Sequence, residues 1–279
     1  QAQKSPDFPT LGETRWKLYE AKGDIAGLLR SAESVLQDYP ERTRSSQYSF
    51  KTREAYSRYL AFNGFRKGYS LMALGRMDEA RDAFDSHVTE INKLQAALEK
   101  RGHALKPAIN IYRQRSENAL GFIKKIALLP APADFELGEM WVTQKRTRLK
   151  ESTGKVVGLI FRGAEDTRSA TFLANIGEFS EANDDMEMVA VHFFKSAKNI
   201  DEQLESLRQE LAGTGYAGAA GFDPDLTGRK LFRSWGVFVG SATFLIIDKQ
   251  GRPVWFQQDP RTRDTNLVKS ILLRVVESE

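Results

Sequence analysis

The chain has no cysteine among its 279 residues. That excludes an internal disulfide, a thiolate nucleophile and any metal centre built on sulfur ligands from this polypeptide. Histidine is scarce too. His87, His103 and His192 are the three in the chain, and their spacing draws no metal-ligand cluster, so no metal and no cofactor is expected. No apolar run approaches the length needed to cross a bilayer, so no membrane span is expected. Charge of one sign is also missing: 41 Lys and Arg against 37 Asp and Glu leave +4, interleaved along most of the chain. The densest basic stretch, Lys145-Arg-Thr-Arg-Leu-Lys150, reads as a solvated surface, and nucleic acid is not an expected partner.

What is present is a globular composition, 41% hydrophobic and 28% charged, long enough for two domains with ordinary cores. The first, residues 1–130, reads as helical. Glu13–Lys22 and Asp24–Asp38 are helical patterns separated by Gly23, with Pro40 as a stop. Tyr56–Met72 and Met77–Lys100 repeat the arrangement around Gly75, and a further helix runs from Ala108 to Leu128 with Ile109, Tyr112, Leu120, Ile123 and Ile126 near one face. Leu129-Pro-Ala-Pro-Ala133 then breaks any helix and serves as a linker.

Within the second hairpin, Ala80 and Phe84 follow the Gly75 turn, and Gly68 and Leu71 precede it; Tyr19, Gly23 and Pro40 take the corresponding places in the first. This pattern resembles a tetratricopeptide repeat, in which small residues let paired helices approach and an aromatic ring fills the groove beside them. From Gly23 to Gly75 is 52 positions, against the ~34 of a tandem array.

Residues 131–279 carry strand signals. Lys155-Val-Val-Gly-Leu-Ile-Phe161 is a buried-strand run, followed by Arg162-Gly-Ala-Glu-Asp-Thr-Arg-Ser169 and a helix to about Glu181. Met186–Phe194 is a second strand, and Trp235–Asp248 leads into Lys-Gln-Gly251. The order strand, turn, helix and the closing Asp-x-x-Gly resemble the thioredoxin-like superfamily, in its TlpA-like, peroxiredoxin-related branch of extracytoplasmic thiol-disulfide oxidoreductases. The resemblance implies a thioredoxin-like α/β sandwich with helices on both faces of a central sheet. It places Asp166 and Ser169 where the family has its two cysteines, with Thr167 and Arg168 between them. Ala242, between Ser241 and Thr243, stands where the family has its cis-proline. The expected fold class is therefore an all-helical tetratricopeptide-like domain followed by a thioredoxin-like domain.

Asp166 has two readings. It can be a group presented at a helix N-terminus beside Arg168, as a general base or cation ligand, or an N-cap that satisfies an orphan backbone N–H. Trp235 and Phe238 are either an exposed recognition patch beside the Ala242 loop or core packing. Asp184-Asp185 lacks the alternation of a calcium loop, and Gly213–Gly221 follows a helix, outside the context of a phosphate-binding loop, so it reads as a flexible connection. No catalytic residue is assigned. The function expected is a redox-inactive module that binds other proteins or peptides. The alternative is an enzyme of non-thiol chemistry at the Asp166 turn. The start at Gln1-Ala-Gln3 suits a chain whose signal peptide has been removed, and with the resemblance it suggests a periplasmic or other extracytoplasmic location.

Overall fold

A computed structural model describes residues 8–38, 50–128, 141–145, 147, 149–194, 199–222 and 242–278. The chain divides into two compact units, Gln1–Lys124 and Lys125–Glu279.

The first unit is helical among its described residues: α1 (Phe8–Lys22), α2 (Ile25–Asp38), α3 (Phe50–Ala73), α4 (Met77–Glu99) and α5 (Pro107–Leu128), the last running past the division. Gly23 and Gly75 take positive φ, 67° and 73°, the conformation that lets a chain reverse tightly between helices at little steric cost. Both helical hairpins turn where the glycines predict. Pro40 lies outside the described residues. Gly68 on α3 lies under the fully buried Phe84 ring of α4; an added Cβ would come within 2.6 Å of it. Gly64, one turn earlier, gives the same room to His87. This pair of glycines is what lets α3 and α4 close on one another. Ala61, Ile91 and Ile109 join α3, α4 and α5 in one apolar cluster, and the Arg66 guanidinium stacks 3.6 Å from the centre of the buried Trp16 ring.

The second unit is built on a five-stranded sheet in the order β3-β2-β1-β4-β5. The strands are β1 (Val156–Gly163), β2 (Met186–Phe193), β3 (Ala219–Phe222), β4 (Thr243–Ile247) and β5 (Pro253–Gln258), and the helices are α6 (Ala170–Glu181), α7 (Ile200–Thr214) and α8 (Thr265–Glu277). β1, β2 and β3 run parallel, and β4 and β5 are each antiparallel to the strand before them in the sheet. β1 is buried along its whole length, as a central strand covered on both sides must be. The β4–β5 hairpin turns on Asp248, whose carboxylate accepts from the Gln250 and Arg252 backbone N–H groups, and on Gly251 at φ 80°. This is the Asp-x-x-Gly turn expected from the sequence.

The described helices of this unit lie on one face. β1 to β2 and β2 to β3 step the same way across the sheet, and right-handed crossovers then put α6 and α7 on the same side. Side chains agree: Phe172 of α6 packs edge-on against Phe244, whose register partner is Ile160, and Glu210 of α7 reaches Arg162, two residues on along β1. α8 contacts α6 and β1. The expectation of helices on both faces thus meets one helical face among the described residues.

The segment after α7 is packed, where a flexible connection was expected. Gly215 caps α7 in the left-handed conformation, and the buried Tyr216 hydroxyl donates to the Ala219 carbonyl at 3.1 Å. Its ring occupies space that side chains at Gly177 and Gly218 would fill.

His87 yields a pH dependence. Its Nδ1 lies 2.8 Å from the Ser116 hydroxyl, and burial lowers its pKa from 6.5 to about 4, outweighing the Ala61 backbone carbonyl. Between those values the unfolded chain binds a proton that the folded one does not, so stability falls as pH drops through 6.5 and stops falling from this cause near 4. Over that interval the native chain is expected to lose about 3 kcal/mol more than a His87→Asn variant, measured by denaturant unfolding of the helical unit at each pH.

Candidate functional site at the β1–α6 turn

β1 delivers the chain into the Asp166 turn. Ala164 donates to the Phe193 carbonyl at 2.9 Å and Asp166 to the Gly163 carbonyl at 3.0 Å, fixing the exit direction. Thr167–Ser169 form one 3-10 turn that runs directly into α6, with Asp166 as its N-cap. The Asp166 carboxylate is occupied. One oxygen accepts from the Arg168 backbone N–H at 3.2 Å and from its guanidinium at 3.3 Å; the other accepts from the Ser169 hydroxyl at 2.9 Å. Ser169 is 1% exposed, so its hydroxyl is closed to a substrate, and Thr167 is exposed. The turn is filled by its own hydrogen bonds.

Around its rim Arg168 is joined by three residues that the sequence reading did not single out. Arg168, Arg261, Thr262 and Arg263 line a shallow cavity of about 460 Å³. The other two arginines come from Arg261-Thr-Arg263, between β5 and α8, where Thr262–Asp264 form another 3-10 turn that packs against α6. Asp264 accepts from the Arg261 backbone N–H at 2.8 Å, so both turns direct a carboxylate inward and guanidinium groups outward. A signal was present in the sequence, two arginines bracketing a threonine, but nothing in it says that this segment meets residue 168.

Beneath the turn, a polar group sits in the sheet itself. Arg162 is fully buried, and one guanidinium nitrogen donates to Glu210 at 2.5 Å. Its register neighbour on β2 is His192, also fully buried, whose ring nitrogens have no hydrogen-bond partner among the described residues. Burial first, and the neighbouring Arg162 charge second, hold the His192 pKa well below its ordinary value, so the ring is neutral at physiological pH. Burial pushes the Tyr216 hydroxyl the other way, above its usual range, against the pull of Arg162. These groups anchor the end of β1. None of them opens to the turn's rim.

Of the other positions singled out, Ala242 and Thr243 are buried at the start of β4, with the Ala242 carbonyl accepting from Asp259 at 2.7 Å. Ser241, Trp235 and Phe238 lie outside the described residues. Asp184 and Asp185 form an exposed turn, and His103 is exposed. Among the described residues no three His, Asp or Glu side chains gather as a metal-binding group, and no helix is long and apolar enough to cross a membrane.

A parallel β-α-β unit with a capped turn after its first strand, an antiparallel hairpin on the other side of that strand, and a closing helix on the sheet decide the architecture. The second unit has a thioredoxin-like fold. No family model matches the chain, and no curated protein does. Among solved structures it is similar to a DsbF homologue from Corynebacterium diphtheriae, at 20% identity and a TM-score of 0.40, covering 53% of this chain and 86% of that one. It is also similar to the exposed lipoprotein thioredoxin of Streptococcus pneumoniae, at 26% identity and a TM-score of 0.39, covering 53% of this chain and all of that one. A third is the peroxidoxin BcpB from Mycobacterium tuberculosis, at 16% identity and a TM-score of 0.39, covering 53% and 95%.

Two substitutions separate the turn from its support. Asp166→Ala removes an N-cap at a largely solvent-facing turn and is expected to cost about 1 kcal/mol. Glu210→Leu leaves the Arg162 cation buried without its carboxylate and is expected to cost about 3–5 kcal/mol. Denaturant unfolding of the two variants beside the native chain measures both, and equal costs would contradict the assignment.

Proposed function

We propose that this chain is a redox-inactive, thioredoxin-like interaction module that binds other proteins or peptides, without catalysis of its own. The observation that carries the reading is the occupation of the Asp166 carboxylate by its own turn: Arg168 donates to one oxygen and the buried Ser169 hydroxyl to the other, and the Thr167 hydroxyl beside them is exposed. A general base must reach a substrate proton and a nucleophile must be open to attack; the enclosure of the Asp166 side chain, 12% exposed, within its own turn and the burial of Ser169 count against both roles. The absence of cysteine removes the thiolate that attack on a disulfide or peroxide requires. What the site still offers is a rigid frame that presents guanidinium groups at its rim. The step from this frame to polypeptide binding is by analogy with the fold.

We further propose that the helical unit is tetratricopeptide-like, a reading supported by the positive-φ turns at Gly23 and Gly75 and by Gly68 under Phe84. An extracytoplasmic location belongs to the same reading, through the resemblance to the TlpA-like branch.

The purified chain is expected neither to reduce insulin disulfides nor to consume peroxide, and, when immobilised, to retain a defined polypeptide in stoichiometric amount from an extract of its own source. Sustained turnover by the purified chain, or a column that retains no polypeptide, overturns the proposal.

A further inference from the structure

The rim of the β1–α6 turn separates its charges by direction. Asp166 and Asp264 are 12% and 11% exposed in their side chains, while Arg168 and Arg263 beside them are 61% and 81% exposed. Asp166 and Asp264 are engaged locally, Asp166 by the Arg168 backbone N–H and guanidinium and the Ser169 hydroxyl, Asp264 by the Arg261 backbone N–H; Asp259, 36% exposed, pairs with Arg261. The guanidinium groups keep donors to spare. Arg168 uses its Nε on Asp166 at 3.3 Å, Arg261 uses one Nη on Asp259 at 3.1 Å, and the approach of Arg263 to Asp264, at 3.8 Å, is too long for a hydrogen bond. With five N–H donors on each guanidinium, most are uncommitted among the described residues; Arg168 and Arg263 hold theirs largely in solvent, and Arg261, at 32% exposure, is more enclosed. Net charge at the rim is close to balanced, yet what an approaching molecule meets is a donor-rich surface.

We infer that the arginine-lined cavity formed by Arg168, Arg261, Thr262 and Arg263 is a docking site for the carboxylates of an acidic polypeptide segment. This rests on the interaction-module reading and names the chemistry of its partner. Guanidinium forks match planar carboxylates in a way that a lysine ammonium does not, and the exposed Thr262 lies among them. The cavity is a shallow dish of about 460 Å³ with no apolar side chain among the described residues that line it. Small-molecule sites gain affinity from enclosing apolar walls, and the described residues supply none here. Single exposed guanidinium–carboxylate contacts are weak. Useful affinity therefore requires several anions presented together on one chain, which an acidic segment supplies and a free oxoanion does not.

The test is titration of the full chain with hexaglutamate, with inorganic phosphate and with hexalysine, following the arginine Nε–Hε resonances by NMR. Hexaglutamate is expected to shift Arg168, Arg261 and Arg263 selectively, to bind more weakly as salt rises, and to lose roughly threefold to tenfold in affinity for each arginine changed to glutamine. An Arg208→Gln variant on α7, remote in sequence from both turns, is the control and is expected to bind as the native chain does. Phosphate binding as tightly as hexaglutamate would make this a small-oxoanion site and overturn the inference. So would no hexaglutamate binding, or binding indifferent to Arg168→Gln and Arg263→Gln. If the immobilised chain still retains its polypeptide when these arginines are changed, this docking site fails while the interaction-module reading stands.

Discussion

The second unit depends on a charge in the wrong medium. Arg162 lies in the central strand with no exposure to water, and a guanidinium there is tolerated only if a carboxylate comes to meet it. Glu210, 48 positions later in the chain, does so from α7. This one pairing fixes where α7 lies over the sheet and fills the space under the end of β1. It surrounds itself with groups that must be uncharged: His192 is held neutral by burial and by the guanidinium, and Tyr216 stays protonated. The Asp166 turn springs from the strand end that this cluster stabilises, so the geometry of the rim is inherited from an ion pair that the rim does not touch.

The turn itself is organised around a carboxylate. In a thiol enzyme, the helix N-terminus after the first strand stabilises an anion that must remain reactive. Here the turn after β1 holds the Asp166 carboxylate, and the Arg168 backbone N–H stabilises it by binding it. Asp166 satisfies the turn, Ser169 donates into it, and Arg168 closes over it. The stabilisation that would otherwise activate a group is consumed in holding the turn shut. The rim's guanidinium groups are the part of the site left facing outward.

Much of the fold was legible because it is locally encoded. Gly23 and Gly75 mark turns that need positive φ, Asp248 and Gly251 mark a hairpin whose hydrogen bonds close within four residues, and the apolar run from Val156 can only be a buried strand. Asp166 as a cap is local in the same sense. What sequence did not reveal is long-range. Arg162 looked like the first residue of a loop, although it sits within β1, because its partner Glu210 is one of many acidic residues on an amphipathic helix. His192 and Arg162 are informative only once the register pairs them. Arg261 and Arg263 became part of the site through packing of the Thr262–Asp264 turn on α6, which no spacing in the chain anticipates. Helices on both faces were expected from the fold class, whereas the described helices follow the crossover handedness onto one.

The central claim is that the Asp166 turn keeps the geometry of a thioredoxin-like active site while its chemistry has been replaced. Building Asp166→Cys and Ser169→Cys into the same chain tests it, since residues at the first and fourth positions of a helical turn bring their Cα atoms into the ~4.4–6.8 Å that a disulfide spans. The measurement is thiol accessibility before and after mild oxidation of the folded variant, by alkylation and mass spectrometry. The account predicts an intramolecular disulfide formed without unfolding, and a thiol at position 166 titrating below the ~8.5 of a free cysteine. A folded variant in which the two thiols stay separate, or in which the thiol at 166 titrates at or above that value, would contradict it.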